Sequence, residues 1–294
     1  MYNYADVKIE DMNINNQGDL DMKKGMLKKI FAIATIGVMS IGLISCGKKE
    51  EDKLTEIKNK GKLVVGLSAD YAPYEFHIIN DEGKDEIVGF DIDIAKEIAK
   101  DMGVELEIQD MDFDSLVAGV PSGKIDLVIS GMTPTPERKE AVDFSDIYYV
   151  AEQGLVVRAA DKDKYKTFAD LKGQKVGAQM GAIQEGVAKD NIPEADIQLL
   201  SNVNDLVLGL KSGKIEGLVV ELPVAEMIVK NNPELVVGEE TVKDSEGGSA
   251  IGLKKDQKAL LDSVNGTIKR IKEEKLLDQF IVDANALAEK QVEN

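Results

Sequence analysis

A chain of 294 residues, 43% hydrophobic and 31% charged, is long enough for two lobes and has the make-up of a soluble globular protein, which excludes a disordered one. Lys8, Lys23, Lys24, Lys28 and Lys29 cancel Asp6, Glu10, Asp11, Asp19 and Asp21 within residues 1–45, so the net charge of −18 belongs to the remainder. An acidic body argues against nucleic acid as a partner and against anionic lipid surfaces.

Lys28 and Lys29 precede an uncharged apolar run, residues 30–44. It is too short to span a bilayer comfortably and has the length of a signal h-region. Leu43-Ile44-Ser45-Cys46 resembles a bacterial lipobox, which implies cleavage before Cys46, diacylation of its thiol and anchoring to the bacterial membrane from outside the cytoplasm. It also accounts for a single cysteine with no disulfide partner. Residues 1–45 are therefore expected to be an upstream segment plus signal peptide, with translation starting at Met22 or Met26 rather than Met1. Residues 46–53 read as a charged tether.

The fold proper is expected to open at residues 56–60, and residues 61–66 (GKLVVG) predict a first buried strand. Ser68, Asp70, Tyr71, Pro73 and Tyr74 follow at its carboxyl end, where an aromatic can either stack on a ligand side chain or cover the sheet edge. Residues 80–84 predict a polar hairpin turn. Gly89 leads into an amphipathic helix with Ile92, Ala95, Ile98 and Ala99 on one face and Gly103 at its end. Asp91 and Asp93 at the start of that helix suit capping and dipole roles. Residues 105–109 predict a strand and 113–120 a helix. The run 125–130, entered through Gly123 and left through Gly131, predicts a buried parallel strand.

Thr135-Pro136-Glu137 has the pattern of N-cap, N1 proline and first-turn acid, so a helix is expected to begin there. The loop before it carries the hydroxyls of Ser130 and Thr133 and the backbone N–H groups around Gly131. Arg138 sits one turn into the helix. All of these prefer an anion, and a guanidinium matches a planar carboxylate. A helix cap followed by a surface arginine explains the same residues.

An internal echo runs through the chain. Residues 116–129 (LVAGVPSGKIDLVI) recur ninety positions on as 206–219 (LVLGLKSGKIEGLV), and 61–66 is echoed loosely by 173–177. Two lobes of one construction are indicated, and in this register Gly131 of the first matches Glu221 of the second. The chain is expected to cross between lobes at residues 148–154 and 247–252. Lobe 1 would hold residues 54–150 and 250–294, lobe 2 residues 153–246. Two final helices, 257–270 and 274–288, would pack back on lobe 1.

The runs 129–139 (ISGMTPTPERK) and 142–148 (VDFSDIY), with 71–76 (YAPYEF), 88–93 (VGFDID) and 172–177 (KGQKVG), resemble the signatures of the polar amino-acid-binding proteins of bacterial ABC importers, extracellular solute-binding family 3. The similarity spans residues 54–290. It implies an α/β, two-lobed periplasmic-binding-protein-like fold of type II, with two open sheets, flanking helices and a double-crossing hinge. It also implies Tyr71 as a lid on the ligand side chain and Phe113 as an aromatic wall of the pocket, where position alone leaves each as ordinary packing. An amino acid then fits between the lobes, its carboxylate on Arg138 and its ammonium on Glu221. A closed state lacking the ligand is expected to leave both charges unsatisfied.

Many relatives have aspartate at the place of Glu221 and a hydroxyl where Ala182 and Ile183 offer only backbone N–H groups. Residues 177–185 (GAQMGAIQE) and 220–224 (VELPV) are similar to a subgroup associated with basic amino acids. That implies arginine or lysine as ligand, with Asp91, Ser68, and Asp70 or Glu75 near the cationic tail; glutamine and cystine are the nearest alternatives. The implied partners are a permease and its ATPase, with no cofactor or metal and a monomeric receptor. Catalysis is not expected: one histidine, His77, cannot build a multi-histidine metal site, and there is no nucleophile elbow, paired-cysteine motif or Walker loop. The enzymatic alternative is a cyclohexadienyl dehydratase-like activity on the same scaffold.

Overall fold

A computed structural model describes residues 52–290; the apolar run 30–44, Cys46 and most of the 46–53 tether lie outside the described residues. In chain order these form α1 (Lys53–Lys60), β1 (Lys62–Leu67), β2 (Asp70–Tyr71), β3 (Glu75–Ile79), β4 (Asp85–Val88), α2 (Phe90–Met102), β5 (Glu105–Asp110), α3 (Phe113–Gly119), β6 (Leu127–Val128), α4 (Pro136–Ala141) and β7 (Val142–Phe144). Then come β8 (Glu152–Arg158), β9 (Lys175–Gln179), α5 (Gln184–Asn191), β10 (Asp196–Leu200), α6 (Val203–Lys211), β11 (Gly217–Glu221), α7 (Leu222–Asn231), β12 (Leu235–Lys243), β13 (Gly252–Lys254), α8 (Lys258–Glu273) and α9 (Leu276–Lys290).

Local chemistry sets the element ends. Asp52 caps α1 by accepting from Thr55 N–H at 3.1 Å, and Thr135 caps α4 by accepting from Arg138 N–H at 3.3 Å, with Pro136 in the first turn. Gly103 closes α2 in the left-handed conformation, φ +73°. The apolar face of α2 buries Ile94, Ala95, Ile98 and Ala99 in the core that also receives Leu260, Val264 and Ile268 of α8. Arg270 of α8 ties the polar edge of the same contact to Asp101 at 2.9 Å.

Two five-stranded sheets result, ordered β5-β1-β6-β13-β7 and β10-β9-β11-β8-β12. In each, three strands pair in parallel, the fourth (β13 or β8) runs against them, and the fifth (β7 or β12) pairs antiparallel to the fourth and so runs with the first three. The sequence echo repeats in the packing. A Cβ on Gly66 of β1 would collide with Ile125 and crowd Leu116; one on Gly177 of β9 would crowd Ile215 and Leu206, the residues ninety positions on. Asp126 N–H donates to Val64 carbonyl at 2.8 Å, and Glu216 N–H to Lys175 carbonyl at 2.8 Å. β6 is shorter than the run 125–130 suggests: Ile129 N–H still donates to Gly66 carbonyl at 3.1 Å, but Ser130 turns away to serve side chains.

β13 completes the first sheet with chain that has already passed through the second. The two crossings run side by side through an antiparallel bridge between Tyr149 and Ser249, with Tyr148 N–H donating to Ser249 carbonyl at 2.9 Å. Short paired crossings let one sheet rotate on the other while each stays intact.

Gly89, between β4 and α2, has φ +134°, and a Cβ there would collide with the Tyr74 carbonyl oxygen. Gly89→Ala is therefore expected to lower stability by more than about 1 kcal/mol, seen as a reduced midpoint in urea denaturation. An unchanged midpoint would mean that the Tyr74–Glu75 backbone has room to move.

Candidate functional site

The loops that leave the carboxyl ends of β1 and β6 meet the ends of β9 and β11 along one seam between the sheets, the usual location of ligand sites in open α/β folds. Glu221 closes β11 there, 2% exposed and opposite Gln153 of β8. The Tyr74 hydroxyl donates to the Glu221 carboxylate, and Glu221 N–H donates to the Tyr71 hydroxyl oxygen at 3.0 Å. Tyr74 is itself held in an aromatic cluster, its ring centroid 4.4 Å from Phe90 and 5.6 Å from Tyr149. Burial pushes the Glu221 carboxyl up to about 8, against the opposing pull of the Tyr74 hydroxyl.

Arg138, half-buried in the first turn of α4, donates from Nη1 to Thr133 carbonyl at 2.7 Å and from Nη2 to Gly181 carbonyl at 2.9 Å, the second bond crossing the seam. Its guanidinium carbon lies 5.3 Å from the Phe113 ring centroid. Burial lowers it to about 10, which leaves it cationic at neutral pH. Among the described residues Arg138 and Glu221 form no ion pair with each other. Nor do they lack partners, contrary to the expectation that only a ligand would supply them: the tyrosine hydroxyl and two backbone carbonyls do so.

The turn at residues 130 and 131 rests on two buried acids. The Ser130 hydroxyl donates to Glu75 at 2.5 Å and accepts from Ser68 N–H at 3.1 Å. Gly131 N–H donates to Asp91 Oδ2 at 2.9 Å, and the Tyr148 hydroxyl donates to the same oxygen at 2.8 Å. Asp91 thus departs from the capping role that its place at a helix start suggests, because its side chain turns inward; Asp93 faces outward and pairs with Lys96 at 3.0 Å. Burial, then the neighbouring Asp91, holds Glu75 well above the usual carboxylate range. Burial raises Asp91 to about 6. Glu75 Oε2 and Asp91 Oδ1 are buried and accept no hydrogen bond, so this pair favours holding a proton or facing a cation.

Other sequence-derived residues fall around this frame. Phe113 is buried against Arg138, and the Thr133 hydroxyl donates to Asp244 Oδ2 at 3.3 Å. The Ser68 hydroxyl donates to Asp70 at 3.1 Å. Ile183 is half-buried before α5, with its carbonyl accepting from Val187 N–H at 3.0 Å. Three participants were not singled out from the sequence. Gln184 donates to Gln153 at 2.8 Å and approaches the Tyr71 hydroxyl at 3.4 Å, Tyr148 reaches the site through the outward crossing, and Asp244 reaches it from just past β12. Gln184 lies inside the 177–185 run and Tyr148 ends the 142–148 run, the available signals for them; Asp244 had none.

Comparison with known proteins shows the family and the fold. The profile of the bacterial extracellular solute-binding proteins, family 3, matches residues 63–282. The chain is 40% identical over 265 residues to the arginine-binding extracellular protein ArtP of Bacillus subtilis (strain 168), covering 88% of this chain and 96% of that protein. It is 38% identical over 226 residues to the ABC transporter arginine-binding protein 1 of Escherichia coli (strain K12), covering 74% and 90%. The arginine-bound crystal structure of the amino acid ABC transporter substrate-binding protein AbpA from Streptococcus pneumoniae Canada MDR_19A superposes with a TM-score of 0.77 at 43% identity, over 80% of this chain and 98% of that one.

Asp91→Ala would strand the Gly131 N–H and the Tyr148 hydroxyl in a buried place. The expected loss is about 1–3 kcal/mol for each donor without an acceptor, read from urea denaturation, with Asp91→Asn losing clearly less. Equal losses in the two variants would assign the cost to charge instead of to the hydrogen bonds.

Proposed function

The chain belongs to the bacterial extracellular solute-binding proteins, family 3, and we propose that it captures a basic amino acid, arginine before lysine, between its lobes and delivers it to a membrane permease driven by an ATPase. The observation that carries this reading is the charge inventory of the seam. Asp70, Glu75, Asp91 and Glu221 are all buried at the seam, and among the described residues none of them is paired with a cation, since Arg138 spends its guanidinium on the Thr133 and Gly181 carbonyls. The α-ammonium of any amino acid serves Glu221, but a neutral side chain leaves Glu75, held well above the usual carboxylate range by burial and by Asp91, with its proton. A cationic side chain lets the Glu75–Asp91 pair ionise fully, since a nearby positive charge offsets the cost of burial. The arginine-binding relatives support the same choice.

In this reading Arg138 and the Thr133 hydroxyl exchange their present acceptors for the α-carboxylate, Ser130 and Gly131, whose protons are held by Glu75 and Asp91, line the loop beside it, and Glu221 receives the α-ammonium. Tyr71 and Phe113 flank the aliphatic stem, Ile183 lends backbone beside it, and Ser68, Glu75 and Asp91 favour the cationic tail. The ligand is bound and released unchanged, by a monomer anchored through lipid on Cys46.

A thermal-shift screen of the twenty amino acids, ornithine, citrulline and cystine is the direct test: arginine should give the largest shift, and recovered arginine should be chemically intact. Arg138→Ala and Glu221→Ala are each expected to cost about 2–5 kcal/mol of binding, roughly 30-fold to several thousand-fold in Kd. A full arginine response from both variants would remove the assignment.

Binding should also depend on pH. With its carboxyl at about 8, Glu221 carries a proton at pH 7 in the protein with its seam closed, and it must lose that proton to pair with an ammonium. Arginine affinity is therefore expected to rise by up to about tenfold per pH unit from pH 6 towards 8 and then flatten. Calorimetry in buffers of different ionisation enthalpy would detect the released proton, and Glu221→Gln should reduce the slope to the part that Glu75 contributes.

A further inference from the structure

Asp70 sits on lobe 1 just past β1, yet its carboxylate is engaged mainly by lobe 2. Oδ2 accepts the N–H of Val203, the first residue of α6, at 2.6 Å. Oδ1 accepts from the Ser68 hydroxyl at 3.1 Å and from the Gln179 amide, at the end of β9, at 3.4 Å. The group is 8% exposed. The helix has its own cap in Asn202, but that side chain accepts from Asn204 N–H at 2.9 Å and leaves the Val203 donor to Asp70. A helix start carries partial positive charge and unsatisfied N–H groups, so a carboxylate is the acceptor best suited to it. With most of its lone-pair directions used in this way, Asp70 has little left for a ligand.

We propose that Asp70 is an inter-lobe cap: a positioning residue that latches α6 of lobe 2 onto lobe 1 and sets how long the closed receptor holds its cargo, without touching the ligand's cationic tail. This rests on the two-lobed receptor reading above. A ligand enters and leaves only with the lobes apart, so a contact that holds them together acts chiefly on opening and hence on release. Ligand charge selection is left to Glu75 and Asp91.

The test compares the unaltered protein with Asp70→Ala and Asp70→Asn for arginine and for citrulline, its neutral isostere, by stopped-flow binding and displacement. Asp70→Ala should raise koff for arginine roughly tenfold or more, the loss expected for a charge-assisted hydrogen bond, with kon changed less than about threefold. Asp70→Asn keeps an acceptor for Val203 N–H and should recover much of the loss, and the preference for arginine over citrulline should stay within about threefold of the unaltered protein in both variants. A koff unchanged in Asp70→Ala overturns the proposal. So does a tenfold collapse of that preference in Asp70→Asn, the signature of a residue that binds the tail. Should the unaltered protein bind no arginine, the functional reading falls instead, and the latch is then judged by small-angle scattering of the protein alone. A larger radius of gyration in Asp70→Ala than in the unaltered protein supports it, and equal radii overturn it.

Discussion

The carboxylate of Glu221 is withdrawn from water at the end of β11, and the seam is arranged around that fact. A buried acid of this kind must be hydrogen-bonded, protonated or paired. Its first recourse is the Tyr74 hydroxyl from the opposite lobe, and Tyr74 is fixed in turn by Phe90 and Tyr149. Because the acid stands on one lobe and its donors on the other, whatever satisfies Glu221 also brings the lobes together. The same logic applies in mirror image to Arg138, a lobe 1 cation that finds a carbonyl of lobe 2 at Gly181. In the proposed function an α-amino acid offers both groups charged partners in place of neutral ones, and that difference is available to drive closure.

Such a site depends on the lobes sharing a construction. Each is a three-stranded parallel core extended by two strands through successive antiparallel pairings, and in each a glycine of the first parallel strand admits a leucine from the echoed helix and an isoleucine from the turn before the echoed strand. Parallel strands end on the same side of a sheet, so each lobe presents its loops at one edge. Two such edges set face to face form a cleft, and the residues matched by the echo, Gly131 and Glu221, take complementary parts: backbone donors on one side, an acid on the other.

The crossings are more than tethers. The return crossing lies against the anion loop, with Ala250 N–H donating to Met132 carbonyl at 2.9 Å, and Asp244, between β12 and that crossing, accepts from the Thr133 hydroxyl. Tyr148, on the outward crossing, helps hold Asp91. On another flank of the seam, Met227 of α7 packs with Phe76, Val88 and Ala288, and Asn231 donates to Ala288 carbonyl at 3.5 Å. Hinge, latch and ligand loops are therefore adjacent, and a rotation of one lobe disturbs all of them together.

Sequence alone determined what short-range chemistry governs. The N-cap at Thr135 with Pro136 behind it, the helix end at Gly103, the turn between β3 and β4 and the two-lobe echo were all legible, because each depends on residues a few positions apart or on a repeated pattern. The likeness of residues 54–290 to a family of solute receptors was legible for the same reason. Tertiary structure decided where buried polar groups point. Nothing local distinguishes Asp91, which turns inward to hold Gly131 and Tyr148, from Asp93 two positions away on the helix surface. Asp70 meets Val203 across 133 residues of chain, and Gln153, Gln179 and Gln184 find their partners only where strands from different stretches end together. The direction of a polar side chain in a core is set by which donors the fold brings within about 3 Å, and that is a property of the assembled lobes.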